Sequence, residues 1–275
     1  MALHPTVAIV GATGAIGSAT AAALARRGAQ LVLLARPSPR LDDIVKRLGG
    51  EERRISSVPV DLSSMRSVRA AARTMNNAGG HIDAMVNNAA VYSPHRQKTA
   101  DGFELMLATN LLGPFLLTNL LRDRLLGGGR VITVAAPSTT KVDIARLLDK
   151  DRFHALPVFG ATKAADLMFT FELARRGKRW DVRSNAFYPG LVKSELMRGS
   201  PRPVRLVTRL MSGSPEQAAQ DLAELATSPA FAGTTGWFFK GTRRMDPPRN
   251  AADQPSQEAL WRRCAELVEL EEPGF

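Results

Sequence analysis

Cysteine, histidine and tyrosine are scarce in this chain: one Cys (Cys264), four His (His4, His81, His95 and His154) and two Tyr (Tyr92 and Tyr188) among 275 residues. A single thiol excludes an internal disulfide and a cysteine-built metal cluster, and the four imidazoles lack the spacing of metal ligands. Metal chemistry is not expected. Long apolar runs are missing too, none approaching the roughly 18 residues that a membrane-spanning helix requires. Neither a charged leader nor a small-residue cleavage site precedes the first apolar segment at Thr6, so a cytoplasmic location is expected.

What is present fits one soluble domain over residues 1–275: 44% hydrophobic and 23% charged residues allow a substantial buried core. The formal charge of +11 raises the question of nucleic acid, an anionic surface or a small anion. The densest basic stretches, 202–209 and 240–249, carry no interleaved aromatics and match no groove-reading motif. A nucleic-acid partner is therefore not expected, and the surplus is read as a solvated basic surface that also favours a phosphorylated cofactor.

Apolar runs of strand length fall at 7–10, 30–35, 55–60, 84–87, 130–135, 182–188 and 236–240. Helical patterns separate them at 15–27, 41–48, 65–75, 103–126, 160–176 and 215–226. A loop with three prolines over 243–257 is predicted to lead into a last helix at 258–270. Strands apolar on both faces and alternating with helices predict a doubly wound α/β fold with a parallel sheet of Rossmann type. In such a sheet the ligand lies at the carboxyl ends of the strands.

The first strand runs into Gly11-Ala12-Thr13-Gly14-Ala15-Ile16-Gly17, with glycine at the tight turn and at the start of the next helix. Glycine there lets backbone approach a pyrophosphate, whose charge the helix N-terminus stabilises. After the second strand, where an acidic residue would accept both ribose hydroxyls of NAD, the chain has Arg36, with Arg40 close behind. A guanidinium suits a 2′-phosphate, so NADP(H) is favoured over NAD(H).

These segments, with Asp61-Leu62, Asn87-Asn88-Ala89-Ala90, Asn110 within Thr109-Asn110-Leu111-Leu112-Gly113, Lys163 and Pro189-Gly190, resemble the short-chain dehydrogenase/reductase family along the whole chain. The wording of Thr99-Ala100-Asp101-Gly102-Phe103-Glu104, Phe115-Leu116-Leu117-Thr118, Phe171-Glu172-Leu173-Ala174-Arg175-Arg176 and Leu260-Trp261 is similar to its retinol-dehydrogenase-like branch. The resemblance implies that Gly11, Thr13, Gly14, Ile16 and Gly17 hold the pyrophosphate. It implies that Asp61 and Leu62 flank the adenine and that Asn88, Ala89 and Ala90 line the ribose side. Pro189, Gly190, Val192 and Ser194 would meet the nicotinamide end, Lys163 would grip its ribose, and Asn110 would anchor a water and the local backbone.

The catalytic half departs from the family. Aligned on the resemblance, Ala136 stands at the position of the serine that polarises a carbonyl, and Phe159 at that of the tyrosine that passes the proton. Ala15 and Ala90 also stand where the family usually has glycine. A positioned acid contributes about 10²–10⁴-fold in rate, so ordinary carbonyl reduction should be weak or absent. Tyr92 and Tyr188, each at a strand end, are candidate replacement donors, as are Ser138, Thr139 and Thr140 just past the fifth strand; His154 is read as a loop residue.

Three functions fit these residues: an atypical NADP(H)-dependent oxidoreductase acting on a small hydrophobic molecule, a non-redox cyclase, isomerase or dehydratase, or a catalytically silent cofactor-binding or partner protein. The resemblance places a substrate lid at 193–208, and family members often pair through the helices that begin near Phe103 and Gly160, so a homo-oligomer is an expectation.

Overall fold

The computed structural model describes residues 4–143, 153–192, 196, 213–270 and 275. Eight strands among them form one sheet: β1 (Thr6–Val10), β2 (Gln30–Ala35), β3 (Ile55–Pro59), β4 (Ala84–Asn87), β5 (Arg130–Val134), β6 (Arg183–Tyr188), β7 (Phe238–Lys240) and β8 (Arg243–Met245). Their order is β3-β2-β1-β4-β5-β6-β7-β8. The chain order reverses between β1 and β4, and the strands β1 to β7 pair in parallel. This is a single-domain, Rossmann-like α/β fold, and its crevice lies outside the carboxyl ends of the central strands.

The helices are α1 (Ala15–Arg26), α2 (Pro39–Leu48), α3 (Met65–Ala78), α4 (Leu105–Leu107), α5 (Gly113–Leu120), α6 (Arg122–Leu125), α7 (Ala155–Arg176), α8 (Pro215–Thr227), α9 (Arg249–Ala252) and α10 (Gln254–Leu267). Strand residues alternate between two apolar layers. Val7, Ile9, Leu31, Leu33 and Ile132 face α1, α2 and α8. Ala8, Val10, Met85 and Val131 face α3, α5, α7 and α10. Local chemistry sets the helix starts: Ser38 Oγ accepts from Leu41 N at 3.3 Å, Ser64 Oγ from Ser67 N at 3.3 Å, and Ser214 Oγ from Gln217 N at 3.1 Å.

Four expectations need correction. The helix expected over 103–126 is interrupted by a π-helical segment, Ala108–Leu112. Pro114 has no N–H to donate to the carbonyl four residues back, that of Asn110, so the α ladder widens there. α7 begins five residues before 160, because Pro157 sits in its first turn, where no intrahelical N–H is needed. The stretch 243–257 is not a loop. It holds β8, which runs antiparallel to β7, then α9 after Pro248 and the start of α10 with Pro255 in its first turn. The sheet is therefore parallel except at this one edge.

Helix α7 is buried on every face from Ala161 to Ala174. One side meets the sheet, and the other is covered by α10, where Trp261 packs edge-on to Phe115 at 4.9 Å and stacks on Phe169 at 5.8 Å. The helices through which relatives were expected to pair are thus covered within one chain.

Candidate active site

Among the described residues, most of those assigned from sequence lie at or just beyond the carboxyl ends of β1 to β6, with Arg40, Asn110 and Lys163 on helices. Gly11 leaves β1 with φ +84°, the left-handed region that favours glycine, and its N–H donates to Leu34 O at 2.8 Å. A Cβ on Gly11 would lie 2.7 Å from the Ala89 backbone, and one on Gly17 would lie 2.2 Å from Gly11 O. Asn88 Nδ2 donates to the same Gly11 O at 3.1 Å. These contacts lock the turn after β1 against the segment after β4, with Thr13 and Ile16 half-buried between its glycines and Gly14 exposed.

The amino end of α1 is bare. Gly14 provides no side-chain cap, whereas α2, α3, α8 and α10 are each capped by a Ser or Asp side chain. Free N–H groups beside a glycine turn are what a pyrophosphate requires, so the cradle fits a dinucleotide. Arg36 and Arg40 are exposed, the first directly after β2 and the second in the first turn of α2. Asp61 Oδ1 accepts from Ser63 N at 2.9 Å and Ser63 Oγ at 2.7 Å, while Leu62 is buried beneath Gly113.

Asn110 has little left for a water. Its Oδ1 accepts from Val91 N at 2.8 Å, and its Nδ2 donates to Val91 O at 3.0 Å and to Thr162 Oγ1 at 3.1 Å. Both amide hydrogens are occupied, so this side chain joins the segment after β4 to α7. Thr162 Oγ1 continues the link by donating to Phe159 O at 2.8 Å. Along that link Tyr92 packs edge-on against Phe159, with ring centroids 5.7 Å apart and an interplanar angle of 83°. Tyr188, half-buried at the end of β6, has no ring partner among the described residues.

Ala136 follows β5, and Ser138 N returns to Ala136 O at 2.7 Å. A Cβ on Gly160 would meet Thr140 Oγ1 at 2.5 Å and Ser138 Oγ at 3.3 Å, so these hydroxyls lie against α7 one residue beyond Phe159. Asn250 secures the loop from outside by donating to Ser138 O at 3.3 Å and Thr140 O at 2.8 Å. Thr139 and His154 are exposed. After β6, Gly190 takes φ +76°, and Val192 bridges to Gly213. Ser194 and the lid expected at 193–208 lie outside the described residues, apart from Leu196.

Lys163 is tied within the protein. Its Nζ donates to Asp166 Oδ2 at 2.6 Å and to Val134 O at 3.3 Å. The sequence reading missed Asp166, although a Lys and an Asp three residues apart on a helix share a face. Burial pushes the Asp166 carboxyl up to about 6, against the opposing pull of Lys163. A carboxyl raised on folding binds its proton more tightly in the native state, so the stability it contributes is present at low pH and lost as pH rises through about 6. Urea unfolding should therefore show the parent losing stability relative to Asp166→Asn as pH rises from about 3.8 to about 6, the window between the carboxyl's ordinary value and its value in the fold. A difference that stays flat or grows with pH would contradict the assignment.

Comparison with known proteins agrees with this architecture. A sequence model described as short chain dehydrogenase matches residues 5–203. Retinol dehydrogenase 13 of Homo sapiens is 32% identical over 98% of this chain and 86% of its own length. Polyprenol dehydrogenase of Mus musculus is 35% identical over 93% of this chain and 81% of its own. Among solved structures, a short chain dehydrogenase of Burkholderia cenocepacia in complex with NADP superposes with a TM-score of 0.70 at 21% identity, covering 91% of this chain and 99% of that one.

Proposed function

The chain belongs to the short-chain dehydrogenase family, and from that premise we propose that it is an NADP(H)-dependent oxidoreductase with an altered proton-donating half, acting on a small hydrophobic molecule. Gly11, Gly14 and Gly17 hold the pyrophosphate, Arg36 and Arg40 read the 2′-phosphate, and Lys163 reaches the nicotinamide ribose. Bound there, a reduced nicotinamide supplies a hydride. Ala136 and Phe159 take the places of the family's serine and tyrosine, so the proton must come from elsewhere.

The observation that carries this reading is the Tyr92–Phe159 contact. The side chain of Asn110 fixes both halves of it, through Val91 on one side and through Thr162 and the Phe159 carbonyl on the other. A phenol therefore stands beside the ring that replaces the usual donor. Tyr92 is the acid in this account, and Ser138, held against Gly160, is the second hydroxyl. The relatives named for retinol and polyprenol support an apolar alcohol or its carbonyl partner as the substrate class.

Loss of NADPH absorbance in step with consumption of a hydrophobic aldehyde or ketone tests the redox claim. Substrate conversion with the dinucleotide unchanged would establish the non-redox alternative instead. Tyr92→Phe should lower kcat by about tenfold or more while leaving NADPH affinity unchanged, because a positioned acid acts in the transition state. An unaltered kcat would remove Tyr92 from the reaction.

A further inference from the structure

Lys163 and Asp166 form an ion pair almost without solvent, their residues 7% and 3% exposed. Desolvating a carboxylate is costly, and an amide or apolar side chain would fill the same helical position without that cost. Other charges on α7 and on neighbouring elements are engaged elsewhere: Glu172 with Arg175 and Arg176, Arg130 with the carbonyls of Leu225, Ala226 and Ser228, Arg183 with Asp181, and Glu104 with the backbone N–H of Leu107 in the field of Arg96. Among the described residues, Lys163 is the charged group that acts on Asp166.

An ammonium has three N–H donors. Here one is given to Asp166 Oδ2 and one to the carbonyl of Val134, the last residue of β5. Both acceptors fix Nζ at the carboxyl end of the central sheet, where a ligand lies in this fold. A single N–H is left without an acceptor among the described residues. Asp166 thus does two things for the lysine: it holds the Nζ position from within the same helix, and it keeps a buried ammonium charged.

We propose that Asp166 is a positioning residue that presents the charged Nζ of Lys163, through its one remaining N–H, to a hydroxyl of the ligand in the cleft. This rests on the dinucleotide reading above. Without Asp166 the ammonium is buried and unpaired, and desolvation favours its neutral form. It then loses its proton at lower pH and its hold on the ligand weakens with it.

The test uses the full chain with Asp166→Leu, Lys163→Met and the double variant, each checked for folding by circular dichroism. NADPH affinity is measured by calorimetry from pH 6.5 to 9, and the Lys163 signal is followed over the same range by NMR of ¹³Cε-labelled lysine, assigned with Lys163→Met. In the Asp166→Leu protein, Lys163 should deprotonate at lower pH than in the parent. Its NADPH affinity should fall by about tenfold or more across the range while the parent varies less, since a tenfold change corresponds to about 1.4 kcal/mol. Lys163→Met and the double variant should match each other at every pH. A purely structural Asp166 would shift affinity equally at all pH values, and that result, or an unmoved Lys163 signal, overturns the proposal. If the parent binds neither NADPH nor NADH, the dinucleotide reading fails, and the proposed role toward a bound hydroxyl falls with it. A shifted Lys163 signal in that case leaves Asp166 as the lysine's counterion only.

Discussion

Gly17→Ala should lower NADPH affinity by about a hundredfold while the protein remains folded. The added methyl would sit 2.2 Å from Gly11 O and 2.8 Å from Asn88 Nδ2, too close for either to remain in place. Relief requires α1 to back away from β1 or the Asn88–Gly11 hydrogen bond to break. Overpacking of this kind costs about 1–3 kcal/mol, and the upper end of that range corresponds to a factor near a hundred in binding. Gly14→Ala is the useful companion. Its methyl makes only a 3.4 Å contact with Gly11 O inside the protein, so affinity lost there reports the ligand itself. Calorimetric titration of both variants decides the matter. Unchanged affinity in Gly17→Ala would mean that the turn does not carry the cofactor.

Ala136→Ser combined with Phe159→Tyr should raise NADPH-dependent reduction of hydrophobic aldehydes by about 10² or more over the parent. The new tyrosine hydroxyl would stand one helical turn before Lys163 and beside the Tyr92 ring. The new serine would follow β5 on the side from which Val134 O holds Nζ. A positioned acid contributes about 10²–10⁴-fold, and an oxyanion donor about 10²–10³-fold. The pair acts as a unit, so each single variant should give much less than its share. Steady-state assays over a panel of aldehydes check this. If the double variant binds NADPH as the parent does yet reduces nothing, the substrate pocket has diverged along with the hydroxyls.

Much of the scaffold was legible because its signals are local. β2 and β4 fall where their apolar runs end, and the helix expected over 41–48 is there, starting two residues earlier at Pro39 behind its Ser38 cap. The glycine turn was legible for the same reason, since a left-handed Gly11 is the physical content of the motif. The failures are non-local or turn on one backbone atom. The π segment depends on a missing N–H at Pro114, which periodicity alone does not register. β8 is three residues long and exists because β7 lies beside it. The prolines at 248 and 255 were read as part of a loop, and each stands at the start of a helix.

At the site, the sequence gathered the cofactor residues but not their couplings. Tyr92 and Phe159 are far apart in the chain, and only the fold brings their rings together. Both tyrosines were candidates from strand-end position, and the fold brings only Tyr92 into ring contact with Phe159. Asp166 is a different kind of omission. Its spacing from Lys163 was visible, but in a largely apolar stretch of helix the carboxyl has meaning only once both groups are known to be buried.

The cleft is proposed to remain a working NADP(H) site with Ala136 and Phe159 in place of the family's hydroxyls. Its most direct test is a calorimetric titration of the unmodified protein with NADPH and, in parallel, with NADH. Tight NADPH binding with at least about tenfold weaker NADH binding, roughly 1.4 kcal/mol, is the expected result, with Arg36 and Arg40 accounting for the difference. Binding of neither nucleotide would contradict the account.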